Sequence, residues 1–328
     1  MEIEDRKRQG RTALGMVVAG VAVAGLAYWL GVRTVAGQRA EDRIVADAQA
    51  LHAITGTRPE VLPLPAVPMV VLAVLALVVV GLARRRLAAA LVAIMLLSAG
   101  AGAGALLKAL LPRPRLNLDG WATANSFPSG HVVLAMSIVL ALLVVTPAAL
   151  RLLVAGVGAV ATSLVASATL IAAWHRPSDV VGAVAVCVVL FVVATTVADR
   201  RGRLGASPAG VVATVFGGVG CLVVSVVGTM LFQLPAAGSR STELLVACAG
   251  VDLAVVAGVV CAVLFLRSTG RGARVRVPVL ALARTAFTQG RTARSSGHQG
   301  AWRQVMDGQR DSVWSRSMCA SFSGLRTA

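Results

Sequence analysis

The chain has 328 residues, is 57% apolar and carries a formal net charge of +17. Uncharged runs of about 20 residues, long enough to cross a bilayer core, recur along it without the alternation and short turns of a membrane barrel. A β-barrel and a soluble globular protein are both excluded, which leaves an all-α, polytopic bundle of transmembrane helices. In a soluble protein the basic excess would suggest nucleic acid. Here it gathers at the ends of apolar runs and in the C-terminal tail, where it reads as a topology signal and an attraction to anionic lipid, with no nucleic-acid partner.

Eight spans are predicted, at 13–34, 66–83, 87–111, 131–150, 152–174, 178–198, 209–234 and 243–266. Residues 1–12 then form an N-terminal segment, 13–86 the first two spans and a loop, 87–198 a motif-bearing core, 199–266 the last two spans, and 267–328 a basic tail expected to be disordered. The first apolar run is too long for the core of a signal peptide and lacks a clear small-x-small cleavage site, so it reads as a retained span. Arg6, Lys7, Arg8 and Arg11, then Arg84 to Arg86, then Arg151, then Arg200, Arg201 and Arg203, then the residues from Arg267 onward all fall on one side of this arrangement. By the positive-inside rule both termini are expected in the cytoplasm, at a cell membrane crossed many times. The segment 35–65 then falls outside; its 40–53 stretch has the look of a surface helix and carries no recognisable chemistry.

The glycines at Gly100, Gly102 and Gly104 and at Gly217, Gly218 and Gly220 read as close helix packing, because no Lys-Ser/Thr follows them as in a phosphate loop. Four of the five cysteines, Cys187, Cys221, Cys248 and Cys261, lie in apolar runs without metal-ligand spacing, and Cys319 stands alone in the tail, so neither disulfides nor zinc are expected. Asp252 inside the last span costs about 2.5–3.5 kcal/mol to insert and has no basic partner on a neighbouring span, so a neutral or locally hydrogen-bonded carboxyl is expected.

Of the four histidines, His52 and His298 read as solvated, while His131 and His175 both map to the outer ends of spans. His131 follows Pro128-Ser129-Gly130 at a helix start: Ser129 can cap, Gly130 lets backbone approach a ligand, and the free N–H groups there attract an oxyanion. His175 ends the fifth span in "WHRPSD", where Pro177 breaks the helix and Asp179 falls in the first turn of the next, within reach of the imidazole. A carboxylate so placed fixes the tautomer and raises the basicity of the other ring nitrogen. The stretch "KALLPRPR" presents Lys108, Arg113 and Arg115 on the side that the charge rule disfavours, as a collar suited to phosphate oxygens.

These three elements together resemble the type 2 phosphatidic acid phosphatase superfamily, membrane lipid phosphatases related to vanadium haloperoxidases, whose pattern is K-x6-RP, PSGH and SR-x5-H-x3-D. Lys108 and Arg115 match the first motif, with Leu116 in place of its proline; Pro128, Ser129, Gly130 and His131 match the second completely; His175 and Asp179 match the third. Ala168 and Thr169 stand where the third motif has serine and arginine. The resemblance covers residues 87–198 and implies a six-helix phosphatase core, with His175 as nucleophile, Asp179 orienting it, His131 as acid, and Lys108, Arg115, Ser129 and Gly130 binding phosphate. It implies a phosphorylated lipid as substrate, an active site on the extracytoplasmic face, and neither metal nor cofactor. Arg113 is expected to replace the missing arginine, Arg176 to turn away from His175, and Thr169 to donate one neutral hydrogen bond. The competing expectation is a catalytically silent phospholipid-binding or transport protein on the same scaffold.

Overall fold

A computed structural model describes residues 2–55, 66–114, 116, 125–199, 211–229 and 242–269, all within the first of two units into which the chain divides, Met1–Arg274. Among the described residues all regular structure is helical, without strands. The helices are α1 (Glu2–Ala27), continued by a π turn (Tyr28–Val32), α2 (Val35–Thr55), α3 (Ala66–Ala83), α4 (Leu87–Leu110), α5 (Gly130–Val145), a 3₁₀ turn (Ala148–Leu150), α6 (Arg151–Ile171), α7 (Pro177–Asp199), α8 (Val211–Gly228) and α9 (Thr242–Thr269). The predicted tail lies outside the described residues.

Each of the eight predicted apolar runs contributes a helix. Among the described residues five stretches are long and apolar enough to cross a membrane: Lys7–Val32, Leu87–Leu110, Ala148–Ile171, Pro177–Ala198 and Thr242–Ser268. Val70–Ala83, Gly130–Val145 and Ala213–Gly228 are apolar and shorter. The outward faces are apolar too, with Leu14, Val18 and Val21 on α1, Leu91 and Met95 on α4, and Val246 and Leu253 on α9 all exposed. Such a surface is stable against lipid tails and not against water, so this is a membrane protein.

Helix α5 is the hub, buried along most of its length through Val132, Met136, Leu140 and Leu143, with α3, α4, α6 and α7 packed around it. A side chain at Gly100 would collide with Ser137, and one at Gly218 would come within 2.7 Å of Val260, so these glycines set helix spacing; Gly102, Gly217 and Gly220 face open space. Helix α1 lies against α7, and α9 against α6, α7 and α8.

The expected 40–53 surface helix is longer and less peripheral than its sequence indicates. Thr34 caps it, its hydroxyl accepting from the Gly37 N–H at 3.0 Å, and Val45, Ala48 and Leu51 are buried beneath it. It packs on the π turn and on α6 and α9, closing the end of the bundle that holds His131 and His175.

Candidate active site

The segment before α5 is fastened from several sides. Asn125 donates through Nδ2 to the carbonyls of Leu111 at 2.6 Å and Lys108 at 3.0 Å, satisfying two groups that the end of α4 leaves unpaired, and its Oδ1 accepts from the Phe127 N–H at 3.1 Å. Phe127 is buried between the Tyr28 ring, 5.4 Å away, and Gly182 of α7, where any side chain would overlap its ring. The Tyr28 hydroxyl donates to the Pro112 carbonyl at 2.7 Å and Gln38 Nε2 to that of Pro114 at 3.1 Å, so α1 and α2 hold the collar that follows α4. Ser129 caps α5 as expected, accepting from the Val132 N–H at 3.4 Å, and its own N–H donates to the Asp179 carbonyl at 3.0 Å. Nothing lies within 4 Å of where a Gly130 side chain would start, which leaves the helix start beside His131 open.

His175 is aimed by the way α6 ends. Ala173 adopts a left-handed conformation, φ 56°, and the Thr169 carbonyl accepts from both the Trp174 N–H at 3.0 Å and the His175 N–H at 3.2 Å. The reversal brings the His175 ring to 6.0 Å from that of His131, nearly edge-on at 69°, with the Trp174 ring 5.5 Å from His131. Pro177 opens α7, where its missing N–H is no loss, and Asp179 sits wholly buried in the first turn. Its Oδ2 accepts from the Arg176 N–H at 2.9 Å and lies 3.4 Å from His175 Nδ1. Asp179 therefore caps the helix and faces the imidazole with the same oxygen. The two histidines differ in kind: His175 is buried and backed by a carboxylate, whereas His131 is exposed.

The two described arginines of the site are tied to α2. Arg176, expected to turn away from His175, engages Ser126 and Asp42. It is buried, with Nη1 donating to the Ser126 hydroxyl at 3.3 Å and Nη2 to Asp42 Oδ1 at 3.1 Å. Arg113 reaches the same Asp42 oxygen at 3.9 Å. Burial, and then the Arg176 charge, pull the Arg113 guanidinium below its ordinary range. Lys108 is exposed at the end of α4, close enough for its charge to act on His131. Arg115, the other cation expected to bind phosphate, lies outside the described residues. The Thr169 hydroxyl donates to the Ala166 carbonyl at 2.8 Å within its own helix, so it is turned inward and does not replace an arginine.

Sequence reasoning missed the part that α2 plays at the site. Glu41 Oε1 accepts from the Ser178 N–H at 3.0 Å, filling the start of α7, and burial, reinforced by the Asp179 charge, raises its carboxyl above the ordinary range. Gly31 is required there, since a side chain would meet Ser178 and Glu41 within 2.8 Å. The one signal in the sequence was an acidic pair, Glu41-Asp42, in an otherwise basic chain. Among the described residues no group of three His, Cys, Asp or Glu side chains is placed to hold a metal ion. Comparison with protein families, curated proteins and solved structures finds no match.

Proposed function

We propose that the protein is a membrane-embedded phosphatase that removes a phosphate or diphosphate head group from a lipid at the outer leaflet. The observation that carries this reading is the asymmetry of the histidine pair: two rings 6.0 Å apart, of which only His175 is backed by a buried carboxylate. Asp179 at Nδ1 leaves Nε2 as the nucleophilic nitrogen. In the proposed reaction Nε2 forms a bond to phosphorus as the bond from phosphorus to the lipid oxygen breaks, and the exposed His131, as imidazolium, protonates that oxygen. Water then attacks the phosphohistidine, His131 takes up its proton, and phosphate leaves. Lys108, Arg113, Arg115 and the backbone around Ser129 and Gly130 would stabilise the charge on the transferring group, the main task in phosphoryl transfer. The likeness of the motifs to the type 2 phosphatidic acid phosphatases supports the same reading. Polyprenyl diphosphate, phosphatidic acid and phosphatidylglycerol phosphate are the candidate substrates.

The proposal includes eight spans, cytoplasmic termini and an extracytoplasmic site. A cysteine at Ala46, exposed on α2, should react with an impermeant reagent in intact cells, and one at Arg84, exposed between α3 and α4, only after permeabilisation. The opposite pattern reverses the topology.

One observation favours the silent-binder alternative: Asp42 already engages Arg176 and Arg113, where a substrate phosphate would need them. Phosphate release from a panel of lipid phosphates in EDTA, wild type against His175→Ala, separates the readings. Release that disappears with His175 supports the enzyme; equal release, or none from either protein on any lipid, supports the binder.

A further inference from the structure

A second polar cluster lies between α6, α8 and α9, away from the histidines and independent of the phosphatase reading. Asp252 of α9 is wholly buried, about 15 Å along the helix from Thr242, and among the described residues no Lys, Arg or His charge acts on it. Its Oδ1 accepts from the Ser167 hydroxyl of α6 at 2.8 Å. Among the described residues its Oδ2 has no hydrogen-bond partner, and the Thr229 hydroxyl just beyond α8 faces the carboxylate.

The neighbouring hydroxyls continue the pattern. Ser163 stands one turn from Ser167 on α6, and Ser225 one turn from Thr229; Ser163 and Ser225 are both fully buried with unpartnered oxygens. The register of the two helices brings the hydroxyls to within about a turn of one another. Cys221 Sγ donates to the Gly156 carbonyl at 3.7 Å, and a side chain at Gly228 would meet Leu164 at 3.4 Å, so α6 and α8 run side by side with Ser225 and Thr229 each slightly less than a turn out of level with Ser163 and Ser167. Orphaned polar groups inside a membrane bundle are costly, and three buried hydroxyls besides the free oxygen of one carboxylate are not explained by packing.

We infer that Asp252, Ser163, Ser167, Ser225 and Thr229 form an intramembrane binding site for a monovalent cation of the sodium class. Carboxylate and hydroxyl oxygens are hard ligands, which suit alkali and alkaline-earth ions and not zinc or copper. A single carboxylate balances one positive charge, whereas divalent sites recruit several. The same three helices enclose a cavity of about 100 Å³ lined by Gly156, Ala159, Gly218 and Cys221, which approaches within about a turn of the cluster and offers a way in. A proton on Asp252 is the competing occupant.

The full-length protein in detergent, titrated with sodium chloride against choline chloride at constant ionic strength, tests the site. The wild type should show a saturable rise in Tm of roughly 2–4 °C or more with sodium only, and should bind about one radioactive sodium ion per chain. Asp252→Asn should abolish both effects. Thr229→Val and Ser225→Ala, which keep the carboxylate and secure the test if Asp252→Asn does not fold, should weaken binding severalfold. Equal Tm in sodium and choline, a sodium effect that survives Asp252→Asn, or an infrared signature of a protonated Asp252 that sodium does not remove would each overturn the inference.

Discussion

Two carboxylates, Asp179 and Asp252, are wholly buried in apolar helices, and their surroundings differ in every respect that decides what a buried charge can do. Asp179 sits in the first turn of α7, where it accepts the Arg176 backbone N–H, lies 3.4 Å from an imidazole and interacts with the Arg113 charge. Asp252 lies in the middle of α9 with one hydroxyl donor, further hydroxyls nearby and, among the described residues, no cation acting on it. A helix N-terminus with cationic neighbours keeps a carboxylate ionised without further help. A mid-helix position in a membrane requires a proton or an ion to come from outside. The first arrangement suits an orienting group in a reaction, the second a site whose occupancy can change.

The comparison is sharpened most by Asp179→Asn. The amide keeps an acceptor for the Arg176 N–H but removes the charge that fixes the His175 tautomer, so phosphate release should fall roughly 10²- to 10⁴-fold in kcat with little change in Tm. A loss of folding in place of kcat would make Asp179 a cap only.

The arginines give the next largest effect, in an order opposite to the one their sequence positions suggest. Arg176→Ala removes a buried ion pair and the contact to Ser126, and should lower turnover about tenfold or more; Arg113→Ala, whose contact to Asp42 is longer, should lower it only a few-fold. Asp42→Asn releases both guanidinium groups and should lower KM for an anionic lipid several-fold. An unchanged KM would show that Asp42 does not compete with substrate.

Glu41 supplies a pH test. Burial raises its carboxyl above the ordinary 4.5, so the folded chain keeps that proton to higher pH than the unfolded chain. The resulting stabilisation is complete below pH 4.5 and is lost as pH rises through the raised folded value. Glu41→Gln preserves an acceptor for the Ser178 N–H without ionising, so across that window its Tm should decline less with pH than that of the wild type. The smallest effect is expected at Ala173, whose left-handed backbone favours glycine: Ala173→Gly should stabilise the protein by about 1 kcal/mol in denaturant titrations and leave turnover unchanged.

Much of this was legible in the chain because it is local. Apolar runs of membrane length, Ser129 at a cap, Pro177 at a helix start and His175 four residues before Asp179 are each short-range patterns with a mechanical meaning, and the charge rule brought His131 and His175 to one end without any structure. The local hydrogen bond of Asp252 was legible in the same way, from the lack of a basic partner. What escaped was long-range. Glu41 and Asp42 reach residues more than 130 positions away, and no periodicity in α2 announces that its acidic pair meets the start of α7. The burial of Arg176 was not legible for the same reason, since its partner Asp42 lies 134 positions away. Thr169 was expected to face phosphate, but its hydroxyl is already used within α6.

The central claim is that His175 forms a covalent bond to phosphorus. Wild-type protein mixed with a lipid carrying radioactive phosphate, then quenched in alkali within a single turnover, should retain label on His175 that is stable in base and lost in acid, and His175→Ala should retain none. Turnover by the wild type with no trapped label, or label that persists in His175→Ala, would contradict the account.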